Sequence, residues 1–337
     1  MESLNIKYRP KEFNEVSSQI SLIKILNRQL ETNTFKNCYL FIGPSGTGKT
    51  TIARIFSNKI NKGQGSPIEI DGASNNGVEN IRLITDSAQE RSLDSEYKIF
   101  IIDECHMITT AGWNAFLKTI EEPPKYTIFI FCTTDPQKIP QTILNRCQIY
   151  NLHRISDDLI YKRIYDISIK EQYKPTQEGI DYIVKLSNGS MRQAVSYLDK
   201  CKDYDINITL ENVINCLGNC SYDIMFKLTY YVSHNEKEKL LNLIEDVYNT
   251  TDLKVFIDSY LKFVLQLSKY KLFNSMKGVY IPNMYEEDIK FNVSEKDIHW
   301  FNNYIDKLLE IKQFIKNDND IKTTIQIMLV RCCDEKG

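Results

Sequence analysis

The sequence lacks the features that mark several specialised classes of protein. Glycine makes up only 13 of the 337 residues, and no segment is repeated or of low complexity. No apolar run approaches the roughly 18–20 residues that a membrane-spanning helix needs. The N-terminal MESLNIKYRPKEF is too charged for a secretory signal. These absences exclude a repeat protein and a membrane-spanning one, and we expect a soluble intracellular protein.

An excess of charge of either sign is also missing. The chain has 42 Lys and Arg against 44 Asp and Glu, which gives a net charge of −2. A protein that coats nucleic acid through bulk charge should be strongly basic, so that class is disfavoured. A basic patch on one face is still compatible with this balance. The ordinary globular composition and the length together indicate two or three domains.

The nine cysteines form no C-x-x-C pair. Cys332 and Cys333 are adjacent, Cys216 and Cys220 lie four apart, and the total is odd. This spacing supports neither a zinc site nor a disulfide framework. The sequence therefore predicts reduced, mostly buried thiols and no zinc.

The first 150 residues alternate short apolar runs with amphipathic stretches, which is typical of a parallel sheet flanked by helices. The middle three runs, IEID, KIFIID and TIFIFCT, have the composition of buried strands. The predicted strands are Tyr39–Gly43, Ile68–Asp71, Lys98–Asp103, Thr127–Thr133 and Gln148–Leu152. The predicted helices are Gln19–Glu31, Gly48–Asn61, Val78–Glu90 and Ala111–Glu122.

After His153 the pattern is almost entirely helical, with an irregular connection predicted at Lys271–Asn292. Gly218-Asn219 interrupts it and indicates a joint between two helical parts. We therefore predict an α/β domain followed by a small helical domain and a larger all-α domain. Their ranges are 1–155, 156–220 and 221–337.

The strongest motif is GPSGTGKT, which follows an apolar strand and opens a helix-forming run. Glycines at these positions let backbone N–H groups turn toward phosphate oxygens at a helix N-terminus. The lysine of such a loop reaches the β- and γ-phosphates, and the following hydroxyl ligates Mg²⁺. With so few glycines in the chain, the match is not a chance one. The residues expected at the phosphates are Gly43, Pro44, Ser45, Gly46, Thr47, Gly48, Lys49, Thr50 and Thr51.

Asp103 and Glu104 end the KIFIID strand at the sheet edge where a phosphate loop lies. Asp103 would then hold the metal with Thr50, and Glu104 would polarise the attacking water. Taken alone, two acids at a strand end would more often be solvated. Their pairing with the upstream loop favours the catalytic interpretation.

Three further polar residues have the order along the chain that a nucleotide site would need. Thr134 follows the TIFIFCT strand, where it could sense the γ-phosphate. Arg146 lies between two short apolar runs and could serve its own site or a neighbour's. Arg192 begins a helix of the second domain and could reach over the nucleotide, although its position alone does not distinguish it from a solvated arginine.

These motifs, in this order, resemble the clamp-loader branch of the AAA+ ATPases, and most closely the gamma/tau subunits of the bacterial DNA polymerase III clamp loader. The resemblance is strong over residues 1 to about 200. It is carried by KYRPKEF, YLFIGPSGTGKTTIAR, IEIDGASNNGVENIR, KIFIIDECHM, NAFLKTIEEPP, TTDPQKIPQTILNRC and NGSMRQA.

The resemblance implies a role for each motif residue. Lys49 and Thr50 take the Walker A place, and Asp103 and Glu104 the Walker B place. The sensor 1 place, the sensor 2 place and the arginine finger that acts on a neighbour's ATP correspond here to Thr134, Arg192 and Arg146. The residues around the adenine correspond to Tyr8, Arg9, Pro10 and Val16.

The sequence departs from the family in three places. Asn58–Pro67 contains no cysteine where bacterial members usually carry a four-cysteine zinc module. The usual Ser-Arg-Cys is Asn145-Arg146-Cys147. The chain ends at Gly337 without the long extension of tau forms, and a compact version of this kind would suit a bacteriophage-encoded subunit in the bacterial cytoplasm.

The resemblance implies an ATP- and Mg²⁺-dependent loader subunit that opens a sliding clamp and places it on primer–template DNA. Its partners would be the clamp, the DNA and other loader subunits, in a pentamer of identical or different chains held by the C-terminal helices. Asn75–Gly77 and Arg82 could face DNA phosphates, or belong to a solvated helix. Trp113 and Phe116 could face the clamp, or the core. The alternatives are a non-hydrolysing structural subunit and another AAA+ motor acting on DNA.

Overall fold

The alternating runs of the first 150 residues fold as one parallel sheet in the computed structural model. Its strands are β1 (Cys38–Ile42), β2 (Ile68–Asp71), β3 (Lys98–Asp103), β4 (Thr127–Thr133) and β5 (Gln148–Asn151). They are ordered β2-β3-β4-β1-β5, and every pair is parallel. The strand that enters the glycine-rich loop is therefore a direct neighbour of β4 and lies two places from the strand that ends in the acidic pair.

The structure describes residues 2–217, 222–276, 278–279, 281, 283–316, 318 and 320–334. The chain divides into two compact units. The first is Met1–Glu171 with Leu186–Asp199, and the second is Gln172–Lys185 with Lys200–Gly337. The three-domain division stays a prediction, and its boundary at 220/221, with the Gly218-Asn219 joint, lies outside the described residues.

Helices cover both faces of the sheet in the first unit, because side chains along each strand alternate between the two faces. One face buries Phe41 and Ile130 with Ile52, and the other buries Leu40 and Phe131. The helices are α1 (Leu4–Lys7), α2 (Ile20–Thr32), α3 (Lys49–Ile60), α4 (Val78–Ala88), α5 (Thr110–Glu121), α6 (Gln141–Leu144) and α7 (Asp157–Lys170). The predicted fold class, an α/β nucleotide-binding domain followed by helical parts, is confirmed.

The strand β2 is more exposed than its sequence suggests, whereas the aromatic rings of α5 are buried. The prediction that IEID is a buried strand is wrong: Ile68 is 39% exposed, because β2 forms an open edge of the sheet. Trp113 and Phe116 belong to the core, where they pack against Phe131 of β4, so these two rings offer no surface to a partner.

The second unit is largely helical, and residues between Met225 and Cys333 form an apolar core within it. Its elements, some of which begin or end in the first unit, are β6 (Lys174–Pro175), α8 (Gln177–Ser187), α9 (Met191–Tyr204), β7 (Asn207–Ile208), α10 (Leu210–Leu217), α11 (Tyr222–Ser233), α12 (Lys237–Thr250), α13 (Leu253–Phe273), α14 (Glu286–Ser294), α15 (Ile298–Phe314) and α16 (Ile321–Asp334). The predicted irregular connection at Lys271–Asn292 is partly wrong, since α14 begins inside it. Within the described ranges, no helix combines the length and the apolar character that crossing a bilayer requires.

The core of this second unit contains a directed chain of hydrogen bonds. The Thr229 hydroxyl donates to the Met225 carbonyl oxygen at 2.9 Å. Because that uses its proton, Thr229 accepts from the Tyr260 hydroxyl at 2.9 Å, which in turn accepts from the Tyr304 hydroxyl at 3.0 Å. Burial raises the pKa of both phenols, so the neutral donors are kept. The chain ties α11, α13 and α15 together.

We expect Tyr260→Phe to lower the free energy of unfolding by about 1–3 kcal/mol, because it leaves the buried Tyr304 hydroxyl without an acceptor. Urea denaturation followed by circular dichroism measures the loss. Tyr248→Phe is the matched control, since Tyr248 is 52% exposed in the same unit. Equal stability of the two variants would contradict the predicted contribution of this chain.

Candidate nucleotide-binding site

The glycine-rich loop has the backbone of a phosphate cradle. It leaves β1 at Gly43 and enters α3 at Lys49, with left-handed φ values of 74° at Gly46 and 100° at Gly48. A Cβ at Gly46 would lie 1.9 Å from the Ser190 Oγ, so only glycine fits there. Residues 45–51 of the loop and of the first turn of α3 line a cavity at this helix N-terminus, where anions are stabilised.

Lys49 is a buried cation with neutral partners. The residue is only 5% exposed, and its Nζ donates to the carbonyl oxygens of Gly43 at 2.8 Å and Pro44 at 3.1 Å. Burial lowers the pKa of this ammonium, and the nearby Glu104 carboxylate partly offsets the effect. In the described part of the chain no carboxylate lies within ion-pairing distance of it. An anionic phosphate would supply the missing partner, so the site fits a nucleotide.

Thr50 and Asp103 form the second part of the site. The Thr50 Oγ1 donates to the Asp103 Oδ2 at 2.7 Å, and the Asp103 Oδ1 accepts from the backbone N–H of Glu104 at 3.0 Å. Two oxygen ligands side by side suit Mg²⁺, which commonly takes one or two protein ligands together with phosphates and water. Across the described residues, no three His, Cys, Asp or Glu side chains are grouped to hold a metal ion.

Glu104 follows Asp103 in a left-handed conformation, with φ 44°. Its Oε2 accepts from the Thr134 Oγ1 at 3.3 Å, which joins the ends of β3 and β4. The side chain is 37% exposed and lies at the cavity. The structure thus brings together Lys49, Thr50, Asp103 and Glu104. It also places the Thr134 hydroxyl against the Glu104 carboxylate.

Lys49, Thr50, Asp103 and Glu104 line a cavity of about 520 Å³ within the first unit, and Thr134 lies outside its wall. Of the residues predicted for the adenine and sensor 2, all lie in its wall: Tyr8, Arg9, Pro10, Val16 and Arg192. The N-terminal segment is tied to helices that follow the sheet, because Arg163 donates to the Tyr8 carbonyl oxygen at 2.9 Å and Asn5 to the Ser196 Oγ at 2.8 Å. The backbone N–H of Met191 donates to the Gly46 carbonyl oxygen at 3.1 Å, which holds the start of α9 against the loop.

Several wall residues were not predicted from the sequence: Leu4, Asn5, Arg54, Asp71, Arg163 and Ser196. Asp71 could have been found, because it ends a strand next to β3 and pairs in register with Asp103. The others are brought to the cavity by contacts between segments far apart in the chain, and no local pattern marks them.

Arg146 lies outside this cavity wall. Its guanidinium pairs with the Glu121 carboxylate at 2.7 Å and donates to the Thr142 carbonyl oxygen at 2.8 Å, and its side chain is 37% exposed. The structure therefore does not bring Arg146 to the nucleotide site of its own chain.

None of the eight described cysteines forms a disulfide and six of them are buried, while Cys220 lies outside the described residues. Burial raises the pKa of the Cys105 and Cys132 thiols, which lie close to the acidic pair. Neither is suited to act as a nucleophile, because a raised pKa lowers the thiolate fraction.

A phosphate loop on a parallel sheet of order β2-β3-β4-β1-β5, with an acidic pair ending β3, defines an AAA+ ATPase. The solved RuvB Holliday-junction branch-migration motor of Thermotoga maritima shares this fold. It aligns over 67% of this chain and 79% of its own with a TM-score of 0.53 and 20% identity. At that identity the likeness concerns the fold alone.

Sequence comparison identifies the family more narrowly. The DNA polymerase III subunit gamma of Buchnera aphidicola subsp. Acyrthosiphon pisum is 31% identical over 72% of this chain and 73% of its own length. The DNA polymerase III subunit tau of Bacillus subtilis is 32% identical over 97% of this chain. Residues 66–156 match the family model described as DNA polymerase III, delta subunit. The chain belongs to the family of DNA polymerase III gamma/tau subunits.

The chain spans only part of several of these relatives. It covers 62% of the Bacillus subtilis protein and 44% of the Mycoplasma genitalium gamma/tau subunit, to which it is 34% identical.

Proposed function

We propose that this chain is an ATP-hydrolysing subunit of a sliding-clamp loader, which uses ATP to open a clamp and place it on primer–template DNA. The observation that carries the proposal is the buried Lys49 ammonium, which lies in one cavity with Glu104 and the Thr50–Asp103 pair. A structural subunit that does not hydrolyse ATP would not need all four groups.

Each group has a separate task in the proposed reaction. The loop N–H groups and Lys49 bind the phosphates, Arg192 contacts the terminal one, and Thr134 senses it through its hydrogen bond to Glu104. Thr50 and Asp103 would hold Mg²⁺, which would neutralise charge on the phosphates. Glu104 accepts a proton from the attacking water, since its carboxylate lies at the cavity and is partly exposed. The adenine would lie against Arg9, Pro10 and Val16.

The partners follow from the family and from Arg146. The relatives are named as subunits of DNA polymerase III, so we expect this chain to assemble with other loader subunits in the bacterial cytoplasm. Arg146 is partly exposed and away from its own cavity, which suits an arginine that completes a neighbour's site. The net charge of −2 leaves room for a DNA-binding face lined by positive side chains and helix N-termini.

The test is an ATPase assay of the assembled loader with primer–template DNA, with and without the sliding clamp of the same genome. We expect hydrolysis to rise with DNA and to rise further when the clamp is present. Blunt duplex DNA without a primer end is the matched control and should stimulate less. ATP binding without hydrolysis would indicate a structural subunit that does not hydrolyse ATP. Hydrolysis that rises with DNA but is the same with and without the clamp would indicate a different DNA motor.

A further inference from the structure

His106 lies beside Glu104, three residues after the strand that carries the acidic pair. Its Nδ1 is 3.3 Å from the Glu104 Oε2 and 3.2 Å from the Thr133 Oγ1, and the ring is 13% exposed. It follows the phosphate-site acids in the sequence, but the motif analysis gave it no role. A histidine held against the proposed general base can influence the reaction without touching the nucleotide.

The surrounding hydrogen bonds indicate where the ring carries its hydrogen. The Thr133 Oγ1 already accepts from the backbone N–H of Asp135 at 3.0 Å. A bare Nδ1 lone pair would face the Glu104 carboxylate oxygen and repel it. Nδ1 therefore carries the hydrogen and donates toward Glu104 and Thr133.

Glu104 is consequently held through one of its two oxygens. Its Oε2 receives donors from two directions, the Thr134 hydroxyl at 3.3 Å and the His106 ring. Among the described residues, its Oε1 has no hydrogen-bond donor. The carboxylate is thus fixed on one side and open on the other, which is the arrangement that a general base for water needs.

We propose that His106 is a positioning residue, whose Nδ1–H holds the Glu104 carboxylate so that its Oε1 is directed to the attacking water. This inference rests on the proposed ATP hydrolysis. His106 does not touch the reacting atoms and acts only through Glu104. A misplacement of about 1 Å at a catalytic group can cost about 100-fold in rate, so the loss on removing His106 should approach that value.

The test compares three substitutions at His106 in the assembled loader. Ala removes the donor, Asn can present an N–H near the position of Nδ1, and Gln presents it farther along the side chain. We expect His106→Ala and His106→Gln to lower kcat by about 10- to 100-fold, with KM for ATP unchanged, and His106→Asn to restore most of the rate. His153→Ala is the control for replacing a histidine and should leave kcat unchanged, since His153 is exposed and outside the cavity wall.

A double-mutant cycle separates positioning from a structural effect. If His106 acts through Glu104, then His106→Ala should cause no further loss in a Glu104→Ala background. An equal loss in both backgrounds would overturn the inference, and so would an unchanged kcat in His106→Ala. Absence of hydrolysis in the unmodified loader would instead contradict the proposed function itself, so the two failures are distinguishable.

Discussion

Lys49→Met should abolish nucleotide binding at ordinary ATP concentrations and lower hydrolysis by at least about 100-fold. The substitution keeps an unbranched side chain of similar length but removes the charge that the loop directs at the phosphates. In the folded protein this ammonium donates to two neutral carbonyl oxygens, so no carboxylate neutralises its charge before an anion binds.

The same substitution should leave the protein without nucleotide about as stable as before. Because burial lowers the pKa of Lys49, the folded protein holds that proton less tightly than the unfolded chain does. Below the pKa of the folded state, the charged lysine therefore lowers the free energy of unfolding. This penalty fades as the pH rises from that pKa to the higher pKa of the unfolded chain, above which both states have lost the proton. Removing the ammonium removes the penalty, which offsets the two lost hydrogen bonds.

Thermal unfolding with and without ATP and Mg²⁺ measures both effects. ATP should raise the Tm of the wild type, since a ligand that binds only the folded state stabilises it, and should not raise that of Lys49→Met. Lys59→Ala is the matched control, because Lys59 lies on the same helix and pairs with the partly exposed Glu12. If Lys49→Met still shows the full Tm shift, the phosphates do not bind where we propose.

How much of this site could be predicted depends on the distance along the chain that each contact spans. The loop, its lysine and the acidic pair are local patterns at strand ends, and a parallel sheet brings such ends to one edge. The sequence therefore predicts that Thr50 and Asp103 lie at one edge of the sheet, and in the structure their side-chain oxygens are 2.7 Å apart. The predicted bounds of β1 to β5 and of α2 to α5 agree with the structure to within two residues for the same reason, because apolar periodicity is a local signal.

The remaining features depend on contacts that no local pattern records. Asn5 and Ser196 meet at the cavity although 191 positions separate them, and neither residue type is unusual. Ile68 is exposed because β2 is at the edge of the sheet, and the order of strands is a property of the whole domain. The role proposed for His106 depends on β4, which places Thr133 against its ring and Thr134 against Glu104.

Arg146→Ala should lower ATP hydrolysis by the assembled loader by about 10³-fold or more, with ATP binding retained. An arginine that neutralises charge in phosphoryl transfer contributes about 10³–10⁵ in rate. In this chain Arg146 is absent from the cavity wall and is held by Glu121 and the Thr142 carbonyl oxygen, so its removal should not disturb the nucleotide site of its own chain. The loss should therefore appear in kcat, and the affinity for a fluorescent ATP analogue should stay near that of the wild type.

Mixing two inactive variants tests whether Arg146 acts on a neighbouring subunit. Arg146→Ala retains a complete phosphate loop, and Lys49→Met retains a complete Arg146. In a mixed assembly some interfaces combine an intact loop with an intact arginine, so part of the activity should return. Arg91→Ala is the control arginine, because Arg91 is exposed and lies over the Tyr126 ring.

The mixed assembly distinguishes this mechanism from an arginine that acts within its own chain. In that case each chain of the mixture would still lack one group, and no activity would return at any ratio. Loss of ATP binding in Arg146→Ala would equally contradict the prediction. Exposure of the Arg146 side chain favours action on a neighbouring subunit, because its pair with Glu121 is a solvent-accessible ion pair of roughly 0–1 kcal/mol. A phosphate presented by a neighbour could draw the guanidinium away from Glu121 at little cost.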